Sequence, residues 1–459
     1  FNKSIINSFS YNLPTMSAVD SPISKSYLNS PRSKHHHSKV TSPQKWSSPV
    51  TEEFLNEIPK TDLHVHLDGS LRMETLVELA AKEGLGFDRA ELEDAFKDRY
   101  LNLEEYLKGF QYTVAVMQNA ENVERIAYEF AVDNYSEGVR YFEVRFAPQL
   151  HASIAPEDNF SIEQVIRAVD KGLNRAMVEF NNSLEERKEA SDIREAPYEY
   201  GIIVSAMRLF TPEMGRYYSA LCAMHSHLTH ERVAALASEM LVRVAQDCRM
   251  KDVPRIVALD IAGAENGFKN STHSVAFDLA HGYFMKKTVH AGEGFGPESI
   301  FQAVRDLHAD RIGHGFHLFS TDMVCGEANV ADPDAYIQRL TKYICDKRIC
   351  LEVCLTSNMG TMPELAMEDH AVKQMFEHGV SVTLNTDNRL VSKTSVVKEL
   401  MVAIETFQLN PSQVREIVIN GFKRSFFHGP YVQRREYVRR AVANYDQVAA
   451  KHGVVSPTE

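Results

Sequence analysis

The chain has no C-x-x-C pair, and its 459 residues include only six cysteines: Cys222, Cys248, Cys325, Cys345, Cys350 and Cys354. A chain this long can build a core without a disulfide framework, so reduced thiols in the cytosol are expected. It also lacks any run approaching the ~18 consecutive apolar residues of a membrane-spanning helix, which points to a soluble protein. Positive charge is in deficit, with 50 Lys+Arg against 62 Asp+Glu and a formal net charge of −12. That balance argues against nucleic acid or a membrane surface as partner and favours a small-molecule substrate.

Acidic residues are scarce in one region. Residues 1–48 hold thirteen serines, Asp20 as their one acid, and four Ser-Pro pairs when Pro49 is counted. Such a composition cannot build a core, so a disordered Ser-rich tail is expected over 1–48, ahead of one globular domain over 50–455. The first residue is Phe1, which makes Met16 a candidate initiator. The stretch shares its Ser-rich, acid-poor character with transit peptides. It holds a single arginine, however, and no clear amphipathic helix or secretory apolar region, so a cytoplasmic location is expected. The run His35–His37 reads as incidental in such a tail.

From residue 50 onward, apolar β-branched runs alternate with helical patterns. Strands are expected at 61–66, 139–146, 200–207, 255–263, 287–293, 311–315, 349–358 and 380–388. Eight strands with intervening helices predict a (β/α)8 barrel, the TIM barrel, rather than an open sheet. The region 85–135 is longer than one crossover needs and predicts extra helices over the barrel mouth. The stretch 320–336 reads as an irregular insertion.

The chemistry-bearing residues fall at the ends of these strands. TDLHVH places His64 and His66 two apart, hence on one face of a strand. VHAGE adds His290, RIGHG adds His314, and LNTDN adds Asp387. In a closed barrel these ends open toward one mouth, and three imidazoles with one carboxylate suit zinc or a similar borderline metal. Other histidine pairs fit less well. His225 and His227 have no matching carboxylate, and His230-Glu231 fails as H-E-x-x-H because Ala234 stands where the second histidine belongs. The P-C-x-x-C signature of cytidine-type deaminases is absent. The glycines of AGEGFG read as a tight turn before a helix opened by Pro297 rather than a phosphate loop.

HVHLDG, HAGE, RIGHG and LNTDN, in this order and spacing, resemble the adenosine deaminase family, with further matches in GVRYFEVRFAP and LDIAGAENGF. The likeness spans about residues 54 to 430. It implies a zinc-bearing (β/α)8 barrel that hydrolyses the 6-amino group of adenosine to give inosine and ammonia in purine salvage, with 2′-deoxyadenosine expected as a further substrate. By position, it implies His64, His66, His290 and Asp387 as ligands of one zinc ion, with His66 also facing the substrate. Glu293 resembles the family's proton donor and His314 the residue that orients the attacking water; Asp387 is placed to take that water's proton. Asp68 matches the acid that holds the ribose 5′-hydroxyl, and Gly263 a backbone contact to the purine. Many members carry a second Asp at the position of Asn388, where it contacts purine N7. A largely bacterial branch reads TDNRL, as this chain does. The amide can donate to N7 without needing a proton.

Glu293 must carry a proton to donate to N1 as C6 is attacked, which calls for desolvation in a closed pocket. Adenine deaminases usually resemble H-L-E-G at the first motif, where this chain has Leu67-Asp68-Gly69, a shorter acid that leaves room for a sugar. An AMP-type substrate is disfavoured because no basic cluster neighbours that motif. A carbamate-lysine dinuclear site is disfavoured because ALDIAG carries no lysine. A silent binding protein is disfavoured because no member of the metal and acid set is missing.

Overall fold

A computed structural model describes residues 49–187, 195–251, 254–324 and 330–454. The tail, His35–His37 and Cys325 lie outside the described residues. Eight parallel strands follow one another in chain order: β1 Lys60–His66, β2 Val139–Phe146, β3 Glu199–Met207, β4 Ile256–Ala262, β5 Lys286–Ala291, β6 Arg311–His314, β7 Cys350–Val353 and β8 Val382–Leu384. Each pairs in parallel with the next. The circle closes where the His66 N–H donates to the Asp387 carbonyl at 2.7 Å and the Asp387 N–H to the His64 carbonyl at 2.8 Å. This is the expected (β/α)8 barrel, and its strands are buried on both faces because helices cover the outside.

The helices form where the apolar spacing and the caps agree. In Ala120–Ser136, Val123, Ile126, Ala127, Phe130 and Ala131 form one buried stripe, and the Asn119 side chain caps the first turn by accepting the Asn122 N–H. Pro411–Arg424 opens with Pro411 in its first turn and a reciprocal Asn410–Gln413 capping box. The region 85–135 supplies Arg89–Ala95, Leu103–Leu107 and Phe110–Val116 besides the long helix. The middle two form a lid whose Leu103, Leu107 and Phe110 line the mouth cavity. In 320–336, a short turn of 3-10 helix at Thr321–Met323 precedes a helix starting at Pro333 and capped by Asp332. Among the described residues no helix is long and apolar enough to cross a membrane.

Several strands end a residue or two short of the expectation, and two are much shorter than the sequence predicts. β7 ends at Val353, and Leu355–Thr361 is a helix rather than the expected continuation. The Thr356 N–H donates to the buried Glu399 carboxylate at 3.2 Å, a cap from a distant helix that local sequence does not announce. β8 ends at Leu384 because the Asn385 side chain takes over the pairing. Its Oδ1 accepts the Leu63 N–H at 2.9 Å and its Nδ2 donates to the Thr383 carbonyl at 3.1 Å.

The barrel interior below the mouth is charged. Arg145 donates to Glu352 at 2.8 Å and to the Leu63 carbonyl at 2.7 Å, and its guanidinium lies 3.5 Å from Asp260. Arg311 donates to Glu352 at 2.6 Å and also to Glu143, which accepts the Tyr141 hydroxyl at 3.0 Å. All are buried. Buried charges persist only when paired and hydrogen-bonded; in this belt each charged group has such a bond, with Nε and Nη1 of Arg145 left unpartnered.

Candidate active site

Directly above the belt, His64, His66, His290 and Asp387 bring one donor atom each to within 4.8 Å of one another. A second group, Glu293, His314 and Asp387, meets the same limit. Among the described residues no other cluster of three or more such side chains forms, so His225, His227 and His230 stay outside any metal-holding group. The rings of His225 and His227 lie 6.2 Å apart just past the helix Arg216–Met224, and His230 packs against Phe210.

Hydrogen bonds from below fix which nitrogen of each histidine faces the cluster. A carboxylate only accepts, so His64 Nδ1 carries the hydrogen it donates to Glu352 at 2.8 Å. His290 Nδ1 likewise donates to Asp260 at 3.0 Å. Both Nε2 atoms therefore face the cluster, where a metal ion could take their lone pairs. Burial pushes the pKa of His66 down to about 3, so it is neutral. Its Nε2 lies 3.1 Å from His290 Nε2 and 3.4 Å from Asp387 Oδ1. His64 Nε2 is buried without a hydrogen-bond partner. Three converging imidazoles beside a carboxylate, one of them with an orphaned buried nitrogen, fit the donor set of a divalent metal ion. Asp387 is aimed by Ser357, whose hydroxyl donates to Oδ2 at 2.6 Å.

Backbone strain marks the same place. His314 (φ 62°) and Asp387 (φ 58°) both occupy the left-handed region, which residues with side chains adopt only when the surroundings impose it. The Asn358 amide donates to His314 Nδ1 at 3.1 Å, leaving the hydrogen of this neutral ring on Nε2, and His370 holds the amide oxygen at 3.3 Å. His314 Nε2 lies 3.6 Å from Glu293 Oε1. Gly313 serves this packing directly: a side chain there would come within 2.8 Å of the His64 ring.

Glu293 is buried, and desolvation together with the negative charges of Asp387 and Glu265 pushes its carboxyl well above the usual range. Its loop is a nest of backbone donors, and the anion in the nest is the chain's own. Glu265 accepts the N–H groups of Gly292 (2.9 Å), Glu293 (2.9 Å), Gly294 (2.8 Å) and Phe295 (3.1 Å), and the Ser299 hydroxyl as well. Pro297 opens the helix that follows, so AGEGFG is the tight turn the sequence predicts.

The remaining expected residues line one cavity with these: Asp68, Gly263 and Asn388. Asp68 Oδ1 is buried without a partner, and its Oδ2 lies 3.8 Å from His151, whose two ring nitrogens are also unpartnered. Gly263 has φ 92° and its carbonyl accepts from Arg208 at 3.3 Å. Asn388 Nδ2 donates to Tyr106 of the lid at 2.7 Å, and Tyr106 bonds Ser392 at 2.9 Å. Sequence reasoning missed Asp260, Glu352, Glu265, Ser357, Asn358, Tyr106 and His151. Asp260 and Glu352 did leave a signal, as lone acids inside the apolar runs IVALDIA and CLEV.

A model of the adenosine deaminase family matches residues 59–437, well over half of the chain. The chain belongs to the adenosine deaminase family. Within that family it is 34% identical to an adenosine deaminase of Mycobacterium marinum over 82% of this chain and 92% of that one. It is 30% identical to one of Clostridium acetobutylicum, over 82% and 95%. Among solved structures, an amidohydrolase with bound zinc from Burkholderia ambifaria superposes with a TM-score of 0.68 at 18% identity, covering 88% of this chain and 95% of that one. An N6-methyl-AMP deaminase from Arabidopsis thaliana superposes with 0.64 at 24% identity, covering 88% and 100%. At such identities these two show the shared barrel.

Proposed function

We propose that this family member is a zinc-dependent adenosine deaminase. It hydrolyses adenosine and 2′-deoxyadenosine to the inosine nucleosides plus ammonia, in cytoplasmic purine salvage, with one domain over 50–455 and one zinc per chain. The observation that carries the reading is the convergence of His64, His66, His290 and Asp387 beside a buried Glu293. Those four residues would hold the zinc, and bound zinc supplies a water acidified to near neutrality.

The chain's own groups do the remaining work. Asp387, fixed by Ser357, accepts the proton of the attacking water. The Nε2–H of neutral His314 points into the cluster and holds the nucleophile toward purine C6. Glu293, protonated because its site is dry and already bears negative charge, donates to N1 as electron density arrives there. The unpartnered Asp68 Oδ1 accepts the ribose 5′-hydroxyl. The Gly263 backbone faces the purine, and the second N–H of the Asn388 amide, beyond the one given to Tyr106, serves N7. Leu103, Leu107 and Phe110 of the lid exclude water from the ring. Among the described residues no Lys or Arg lines this cavity, which favours a nucleoside over a nucleotide.

The test is the ultraviolet absorbance change on mixing metal-analysed protein with adenosine and, separately, with adenine. Adenosine turnover without adenine turnover, at one zinc per chain, is the expected result. Turnover of adenine alone would overturn the role of Asp68.

A further inference from the structure

We infer that the end of the barrel opposite the mouth carries a second ligand site, built for a phosphorylated nucleoside. A cavity of about 550 Å³ opens there, between the starting ends of β4 and β5 and the segment that follows the helix Pro411–Arg424. Its volume falls in the range of small-molecule sites, roughly 300–1,000 Å³. Arg249, Arg255, Lys286 and Arg434 line it, and among the described residues no carboxylate does. In a chain of formal charge −12, four cations facing one hollow create a local field of the opposite sign.

Two of these cations already have acids behind them. Arg255 bonds Glu199 at 2.5 Å, and Lys286 bonds Asp310 at 3.2 Å. The other two rest on neutral oxygens. Arg249 donates to the Gln246 side chain at 3.1 Å and the Tyr283 carbonyl at 3.4 Å, and Arg434 donates to the Lys423 carbonyl. Burial of the Arg249 guanidinium pulls its pKa down, a sign that its charge is partly desolvated without compensation. Forked guanidiniums of this kind match a phosphate.

A flat apolar partner is present on the same wall. Phe284 is 90% exposed although it sits at φ 55°, the left-handed position that ends the helix Ser274–Gly282 through the Met285 N–H to Ala280 carbonyl bond. Glycine is the residue that position favours. Phe427 also lines the cavity, half-buried and stacked on Tyr437 with ring centroids 5.2 Å apart, which leaves Phe284 as the open ring. Aromatic rings stack on any nucleobase. Cations for an anion and an open ring, Phe284, for a heterocycle together specify a nucleoside phosphate; among the described residues no Lys or Arg lines the mouth cavity, which keeps the two sites chemically distinct.

Equilibrium dialysis of the metal-loaded full chain against ATP, tripolyphosphate and adenosine tests this site. One ATP is expected per chain, with an affinity that falls as salt rises. The double variant Arg249→Ala/Arg434→Ala should weaken ATP about tenfold or more and leave adenosine turnover unchanged, which also shows that it folds. Phe284→Gly, which suits the local backbone, should weaken ATP and spare tripolyphosphate. No ATP binding, or ATP binding that ignores the double variant, overturns the site. Tripolyphosphate binding as tightly as ATP, with no effect of Phe284→Gly, overturns the nucleoside part of the assignment and leaves only adventitious anion binding.

Discussion

The mouth of the barrel and the belt beneath it are both built from buried polar and charged side chains, yet they treat most of their polar atoms differently. In the belt, Glu143, Arg145, Arg311 and Glu352 are bonded to one another. At the mouth, His64 Nε2, His314 Nε2, Asp68 Oδ1 and Asn388 Oδ1 are buried without partners. An orphaned buried polar atom is destabilising unless something completes it, and several gathered about one cavity mark a place for a ligand. Paired atoms mark where the fold is held. The belt's carboxylates are all bonded and only Arg145 leaves atoms, Nε and Nη1, without partners, whereas the orphaned atoms of Asp68, His314 and Asn388 belong to residues that line one cavity.

The comparison predicts that mutations above the line cost activity and mutations below it cost stability. The largest effect is expected from Glu293→Gln, which should lower kcat by about 10²–10⁴-fold with metal content and urea stability unchanged. The parent's rate should fall on the alkaline side as Glu293 loses the proton that its raised pKa retains, and the variant should lack that limb of the pH profile. Turnover within tenfold of the parent would sink the proton-donor role. Next comes Arg311→Met in the belt. Leaving Glu143 and Glu352 without this partner should cost about 3–5 kcal/mol in denaturant unfolding. A loss below about 1 kcal/mol would mean the belt is not held as its bonds indicate.

Asp260→Asn lies on the border between the regions, because Asp260 reaches both Arg145 and His290 of the proposed metal site. It should weaken metal affinity by about 10–100-fold, read by competition with a chelator. An unchanged affinity would place Asp260 with the structural belt alone. Glu265→Gln sharpens the border further. An amide cannot serve four backbone donors as a carboxylate does, so the Glu293 loop should loosen and kcat fall about tenfold with KM little changed. The smallest effect belongs to neither region: breaking the exposed Lys342–Asp346 pair should change stability by less than about 0.5 kcal/mol.

The split also explains what could be read from the sequence. His64 and His66 were legible because a strand repeats every two residues, and His290, His314 and Asp387 because each closes a β-branched run. The family likeness then assigned roles to Glu293, Asp68, Gly263 and Asn388, and the structure brings all of them to one cavity. What stayed hidden depends on contacts between distant segments. Leu355–Thr361 is a helix because Glu399, more than forty residues away, caps it. The same turn delivers Ser357 and Asn358 to the site. Nothing local in AGEGFG names Glu265 as the anion in its nest. The tail and the 50–455 domain boundary rest on composition alone.

The bond between β1 and β8 has a consequence for how the protein is made. His64 and His66 leave the ribosome first, while Asp387, which closes the barrel against them, is synthesised more than three hundred residues later. If these residues hold the metal as proposed, it cannot meet its full ligand set until the eighth strand has emerged and docked. A chain released before that point holds three histidines at most and an open sheet edge. Catalytic competence would thus report that synthesis had passed the eighth strand, and chains terminated before Asp387 are expected to be inert rather than partly active.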